Sequence, residues 1–349
     1  MDSISRFSKI DKPLLVAIII LISFSLFALW SIAPYLFPLY FLYILLGVLA
    51  FFLFSTLEFG VISVFSKNLY VFSIFLLILP LLIGQVTRGA VRWIPIGALT
   101  IQPVELVRPL LLIFFANYLT KESFNFKRFI KAGALLAIPI VLLLMQPSLG
   151  VAILVVVSFV GVIIATDINK KYLVLGFLLL LLSLPLVVSV LAPYQKSRLV
   201  SFINPGLDPQ GSGYNSIQSM ISVGSGQLFG RGLGKGVQTQ LHFLPESHSD
   251  FIYASISEEL GFLGSIVILF VVFFILFRIT HFMKNPVSIA ARAFYSGVLL
   301  TLFFQTVVNI GMNLGLLPIT GVPLPLVSAG GSSFLATMAT FGLLMGARK

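Results

Sequence analysis

The chain has 349 residues, of which 58% are hydrophobic and 9% charged, and its mean hydropathy is +1.10. So few charges cannot cover the surface of a water-soluble fold, in which about a quarter of the residues are charged, so lipid is the solvent for most of this protein. The net charge of +11 does not point to nucleic acid, because the Lys and Arg residues sit in short runs between apolar segments, and the lack of cysteine excludes disulfides and thiolate metal sites.

A membrane-spanning helix needs about 20 mostly apolar residues. Ten segments qualify, at 13–33, 36–55, 69–85, 103–119, 131–146, 149–166, 172–192, 252–278, 290–313 and 327–346. The expected fold is therefore an all-α, polytopic membrane protein with about ten spans in a single domain over 1–349. The first segment ends in Ser31-Ile32-Ala33, which looks like a signal-peptide cleavage site, but its apolar run is too long and nine spans follow, so it reads as an uncleaved anchor.

Basic residues set the topology. With the N-terminus inside, Arg88, Arg92, Lys196, Arg198, Arg231 and Lys235 fall outside, Arg108 falls within a span, and every other Lys and Arg falls inside. The positive-inside rule then puts both termini in the cytoplasm. A long outside loop, about 193–251, separates the seventh and eighth spans. It is rich in glycine from Gly206 to Gly236 and holds an amphipathic stretch, Tyr214 to Val223, expected to fold against the membrane surface. No internal repeat is evident.

The acidic residues are few. Asp2, Asp11, Glu58, Glu122 and Asp167 lie with basic residues at inside ends and read as solvated helix-end charges. Glu105, Asp208, Glu246, Asp250, Glu258 and Glu259 lie outside or just within the outer leaflet, where an ionisable group is costly unless paired or used. Glu105 and Arg108 stand three residues apart on one helix face behind Pro103. That spacing suits either a structural ion pair or a functional one.

In Leu244-Pro245-Glu246-Ser247-His248-Ser249-Asp250-Phe251, ligand-type side chains recur at alternate positions. Glu246, His248 and Asp250 could contact a substrate or bind a divalent cation, but Ser247 with Asp250 also fits a capping box for the eighth span, and spacing alone favours the cap. Of Glu258 and Glu259, at most one can face Asp250, because neighbours on a helix point about 100° apart.

Glycines 224, 226, 230, 232, 234 and 236 resemble a phosphate cradle, but no P-loop or dinucleotide fingerprint accompanies them, and they read as a flexible turn near the membrane. Arg231 and Lys235 beside them could meet a diphosphate. The stretch from Gly315 to Ser333, with Pro318, Pro323 and Pro325 and then Gly330-Gly331-Ser332-Ser333, means non-helical backbone at membrane depth. Lipid tolerates that only where it lines a protein groove.

Taken in order, Gly89-Ala90-x-Arg92-Trp93, Gln102-Pro103-x-Glu105, Gln146-Pro147-x-Leu149-Gly150, Asp208-Pro209-x-Gly211-x-Gly213-Tyr214-Asn215, Ile217-Gln218-Ser219, Pro245-Glu246-x-His248-x-Asp250-Phe251-Ile252, Glu258-Glu259-Leu260-Gly261 and the block 315–333 resemble the shape, elongation, division and sporulation family of bacterial wall-building glycosyltransferases. Gly236-Val237-Gln238-Thr239-Gln240-Leu241 is similar to the rod-shape branch.

The resemblance implies a peptidoglycan glycosyltransferase of the bacterial cytoplasmic membrane that polymerises lipid II at the outer face. It implies a class B penicillin-binding transpeptidase as partner, Asp250 as the essential carboxylate, and Glu105 and Arg108 as supporting residues. An α-linked diphosphate donor and a β-linked product mean inversion, for which one general base suffices. The departing diphosphate then needs a cation: Arg92, Arg108, Arg231, Lys235, or a bound Mg²⁺ or Mn²⁺ held by residues such as Asp250 and Glu246. Ser332 and Ser333 join the expected substrate contacts. Against the family's usual pattern, Arg108 replaces Lys, Ser148 replaces Asp and Ala329 replaces Tyr. A lipid II flippase and a non-catalytic scaffold for a transpeptidase are the competing readings.

Overall fold

The computed structural model describes residues 10–348 except 88–89, 98, 123–124, 167–168 and 212. Asp2, Arg88, Gly89 and Asp167, which enter the charge pattern or a motif above, lie outside the described residues. All ten apolar segments form helices. The first five helices are α1 (Lys12–Ile32), α2 (Phe37–Ser55), the short α3 (Phe59–Val64), α4 (Ser66–Ile83) and α5 (Pro103–Thr120). Then come α6 (Phe126–Met145), α7 (Leu149–Ile164) and α8 (Lys170–Val190). The long loop contributes α9 (Pro193–Ile203), α10 (Tyr214–Ser225) and α11 (Val237–Gln240), and the chain ends with α12 (Ile252–Phe282), α13 (Ile289–Asn313) and α14 (Gly331–Gly346).

Local sequence explains the starts. Asp11, Asn125, Asn169 and Ser288 each accept a backbone N–H of the first turn of α1, α6, α8 and α13, which satisfies one of the donors a helix start leaves open. Among the described residues seven helices are long and apolar enough to cross a membrane. Helices α7 and α14, at 16 residues each, are about 24 Å long by the helical rise. The irregular segment 314–330 precedes α14, which begins at Gly331 rather than at 327. The sequence reading also missed three short strands, β1 (Gln85–Thr87), β2 (Ala90–Ile96) and β3 (Leu99–Ile101), which form one antiparallel sheet between α4 and α5.

Helices α5 and α13 form the centre. In an apolar 18-residue stretch of each, 72% of the residues are buried, against 22% in α4. Between apolar helices in lipid, close backbone approach drives association more than hydrophobicity does. Accordingly, Gly161 of α7 packs on Ser296 and Gly297 of α13, and Gly342 of α14 packs on the Phe51 carbonyl of α2.

Helix α12 is broken. Gly261 has φ 67° and ψ −163°, outside helical geometry. The loop 226–232 fills the break: Arg231 N–H donates to Glu258 O (2.9 Å), Gly232 N–H to Glu259 O (3.0 Å), Phe262 N–H to Gln227 O (2.8 Å) and Leu263 N–H to Leu228 O (3.2 Å). Gly226 and Gly230 lie so close to the Ser257 and Glu259 carbonyls that no Cβ fits. The expected flexible turn is therefore a close-packed plug. It needs glycine for contact, and at Gly230 (φ 79°) also for a left-handed backbone.

Asp11 also departs from expectation. It is buried rather than solvated, caps α1 through Leu14 N–H (2.9 Å), and pairs with Arg278 (2.5 Å) at the end of α12 and with Arg348 (3.4 Å) near the C-terminus. Burial raises its carboxyl pKa, but hydrogen bonds from Arg278 and Leu14 and the charges of Arg278 and Arg348 outweigh that and hold it below the ordinary 3.8. Glu122, by contrast, is exposed and pairs with Arg128 (2.7 Å).

Candidate functional site

Asp250 lies half-buried in the turn before α12. Glu246 opens that turn at φ 55°, and its carbonyl accepts from Ser249 N–H (3.1 Å) and Phe251 N–H (3.2 Å). The capping-box expectation fails here: α12 starts at Ile252, five residues after Ser247, with Phe251 as N-cap. The first-turn N–H of Ala254 goes instead to Asn313 Oδ1 at 3.0 Å.

Other segments grip the turn by its backbone. Ala329 N–H donates to His248 O (3.0 Å) and Ser328 Oγ to Ser249 O (2.7 Å), while Asn309 Nδ2 (3.2 Å) and Asn313 Nδ2 (3.1 Å) both donate to Asp250 O. Three successive carbonyls are thus fixed from outside the turn. The carboxylate lies beside Gly321, whose φ of 68° and missing side chain leave space: a Cβ there would stand 3.6 Å from Asp250 Oδ2 and 3.9 Å from Arg198 Nη1.

The irregular segment 314–330 is held the same way. Gln305 Nε2 donates to Pro323 O (2.9 Å), Asn309 Nδ2 to Val322 O (2.8 Å), and Ser328 Oγ accepts from Leu324 N–H (2.7 Å). Gln305, Asn309 and Asn313 recur every four residues and so form one polar stripe on α13. The sequence reading missed them because it sorted charged residues, although amides at that spacing in an apolar span were the available signal.

Glu105 and Arg108 pair directly, as their spacing allows, and both are buried. Arg108 Nη1 also donates to Gln305 Oε1 (3.3 Å), so the pair joins the α13 stripe one turn from Asn309. It borders a 30 Å³ cavity lined with Thr301, Gln305, Thr337 and Phe341. That space holds about a water or two and no sugar.

Glu258 and Glu259 both face away from the Asp250 turn. Glu258 accepts from Ser222 Oγ (3.1 Å), Gln238 N–H (2.9 Å) and Thr239 N–H (3.1 Å); Glu259 accepts from Ser31 Oγ (2.5 Å), Gly234 N–H (3.1 Å) and Gln240 Nε2 (3.1 Å). They anchor the long loop to α12. Helix α10 packs its serine face on α12 and α13, with Ser219 Oγ donating to Asn313 O (2.9 Å).

The remaining expected residues are spread around this centre. Arg92 is half-buried in β2, and His248 and Glu246 are half-buried in the Asp250 turn, with Glu246 Oε2 accepting from Ser249 Oγ (2.9 Å). Arg231 and Lys235 are exposed on the plug, two turns of α12 away. Ser332 Oγ accepts from Gln102 N–H (2.9 Å) and donates to Thr100 O (3.2 Å), tying α14 to β3 and α5, and Ser333 is buried. Ser148 is buried at the start of α7, and its hydroxyl lacks a hydrogen-bond partner among the described residues.

Among the described residues no three of His, Asp and Glu converge as a metal site. Magnesium held by one or two carboxylates and substrate phosphates needs no such cluster. Asp250 and Glu246 lie half-buried on the same turn, with Glu246 Oε2 bonded to Ser249 Oγ.

Comparison with known proteins agrees with this architecture. The family model described as "Cell cycle protein", covering FtsW, RodA and SpoVE, matches residues 12–349. A relative from Buchnera aphidicola (subsp. Baizongia pistaciae) named probable peptidoglycan glycosyltransferase FtsW is 36% identical over 84% of this chain and 79% of its own length. The Escherichia coli K12 peptidoglycan glycosyltransferase MrdB is 35% identical over 80% of this chain and 76% of its own. Among solved structures, a chain from a peptidoglycan synthase complex, described as coordinating polymerization and crosslinking, superposes with a TM-score of 0.82 at 32% identity, covering 96% of each chain. The crystal structure of Thermus thermophilus RodA gives 0.73 at 28% identity, over 96% of this chain and 95% of that one. This chain, with its helical bundle, irregular segment before α14 and carboxylate turn before α12, belongs to the FtsW/RodA/SpoVE family of multi-pass membrane proteins.

Proposed function

We propose that the chain is a peptidoglycan glycosyltransferase that polymerises lipid II at the outer face of the bacterial cytoplasmic membrane, with both termini cytoplasmic. Asp250 acts as general base: it takes the proton of the acceptor sugar hydroxyl as that oxygen attacks the anomeric carbon of the donor with inversion. One observation carries this reading. Asp250 is half-exposed and its backbone is held by donors from α13 and the 328–329 segment, so the carboxylate is fixed yet reachable, as a base must be.

In this reading Glu105 and Arg108 act through Gln305 and the α13 stripe, as positioning residues, because the cavity beside them admits only water. Arg92, Glu246, His248, Ser333 and the exposed Arg231 and Lys235 are candidate substrate contacts; Ser332 shapes the wall. A divalent cation arriving with the diphosphate is compatible with Asp250 and Glu246, and no step is assigned to it. The partner is a class B penicillin-binding transpeptidase.

We assign the chain to elongation on the Gly236–Leu241 motif, whose Gln240 anchors the loop to Glu259 and Ser31. The FtsW and MrdB relatives are similar to nearly the same degree, so complementation of elongation-deficient and division-deficient cells decides the branch. The test of the activity is lipid II polymerisation by purified wild type and Asp250→Ala, with and without the transpeptidase and with Mg²⁺ or a chelator. Polymer from wild type alone is expected. Transport across vesicles without polymer supports a flippase, and growth of cells relying on Asp250→Ala supports a scaffold.

A further inference from the structure

We propose that Arg198 is the cation that binds the departing diphosphate of the lipid-linked donor, beside Gly321, the glycine that the Asp250 carboxylate also borders. The inference rests on the reading of Asp250 above and extends it to a residue that the sequence offered only as one more positive charge on the outer side.

Three observations converge on Arg198. The first is position. Its Nη1 and Asp250 Oδ2 both border Gly321, where a Cβ would stand 3.9 Å from the first and 3.6 Å from the second. The second is fixation. Nη1 donates to Ile319 O at 3.2 Å, and the guanidinium lies over the Tyr194 ring, 5.6 Å from its centroid. Tyr194 is itself fixed, its hydroxyl donating to Pro147 O at 2.7 Å, a carbonyl that Gln195 Nε2 also reaches at 3.2 Å. Tyr194, Gln195 and Arg198 all belong to α9, so this helix docks on the bundle through the residues that carry the guanidinium.

The third is unused capacity. A guanidinium has five N–H donors, and among the described residues Arg198 makes one hydrogen bond. Three of the other expected cations are placed less well. Arg108 is buried and paired with Glu105, and Arg231 and Lys235 are exposed two turns away.

The chemistry follows from the pairing. The acceptor hydroxyl oxygen forms its bond to the anomeric carbon and its proton passes to Asp250. The bond between that carbon and the diphosphate oxygen breaks, and its electron pair leaves on the diphosphate. A planar guanidinium takes two phosphate oxygens in parallel, and one held rigid offsets the new charge without reorganising.

The test measures polymerisation of lipid II and the binding of undecaprenyl diphosphate and undecaprenyl monophosphate by wild type, Arg198→Gln, Arg198→Lys and Asp250→Asn, each checked for folding by its melting temperature in detergent. For Arg198→Gln we expect kcat to fall roughly 100-fold, in the range for loss of a charge-stabilising donor. Undecaprenyl diphosphate should bind roughly tenfold more weakly, with a smaller change for the monophosphate. Arg198→Lys keeps the charge but not the fork and should fall between, and it serves if Arg198→Gln does not fold. Asp250→Asn should lose turnover and, with divalent cations removed by a chelator, keep the diphosphate affinity of wild type. Normal diphosphate affinity in both Arg198 variants overturns the inference, even if kcat falls, because Arg198 would then only brace Ile319. A wild type that neither polymerises lipid II nor binds undecaprenyl diphosphate overturns the functional reading itself.

Discussion

Two acidic regions eight residues apart on one stretch of chain behave oppositely. At the turn before α12 the backbone of Asp250 is tied down by other segments and its carboxylate stands half-exposed at a glycine gap. At the break in the helix, Glu258 and Glu259 are almost completely buried, and each collects three hydrogen bonds from the loop or its neighbours. In one region side chains from other segments hold the main chain; in the other the acidic side chains themselves hold the main chain of the loop. Acidity near the outer face is therefore no guide to chemistry. How deeply each carboxylate is buried is what distinguishes the two regions.

The comparison is broken most directly at Asp250. Asp250→Asn should lose at least about 100-fold in polymerisation, in the range for removal of a general base, with the melting temperature unchanged. A variant retaining a tenth of wild-type activity would break the contrast. Glu258→Ala should do the reverse. It strands the N–H groups of Gln238 and Thr239, each costing about 1–3 kcal/mol, so melting should fall by several degrees and protease should cut within 226–240. Whatever protein stays folded should turn over at near the wild-type rate.

Asn309→Leu sharpens the claim that the Asp250 backbone is held from α13. It removes donors to Asp250 O and Val322 O, and kcat should fall by about tenfold, a loss of roughly 1.4 kcal/mol, with little change in KM. A rise in KM alone would move Asn309 to substrate binding. The smallest effect belongs to Asp11, far from either region. Because its folded pKa is depressed, its contribution is present above the ordinary carboxylate value of 3.8 and is lost as pH falls through the folded value. Asp11→Asn should lower stability at pH 7 by on the order of 1 kcal/mol and flatten the acid limb of melting temperature against pH.

The ten helices were legible because a run of about 20 apolar residues has few other fates. Residues 315–330 were also legible as non-helical, because three prolines and three glycines oppose a helix in lipid, although the helix resumes at Gly331, before the end of the stretch read that way. Asp250 stood out through its motif. Its surroundings did not, because they are assembled from the 249–250, 309–313 and 319–329 segments and from α9, and no spacing within one segment encodes a contact between segments. The break at Gly261 was hidden for a related reason. A single glycine in an apolar run reads as a tolerated substitution, and only the partner loop reveals that its neighbours' backbone groups bond elsewhere. Arg198 was counted for its sign alone, since its meaning depends on Gly321, more than a hundred residues away in the chain.

The glycine-rich plug in α12 also bears on how this protein can be labelled. Because the loop's own amides and carbonyls complete the interrupted helix, adding even one residue between Gly226 and Gly232 would shift the register and strand main-chain groups beside lipid. An epitope or fluorophore belongs instead near 208–211, where the chain is exposed, and the segment that looks most pliable on paper is where an insertion would do the most harm.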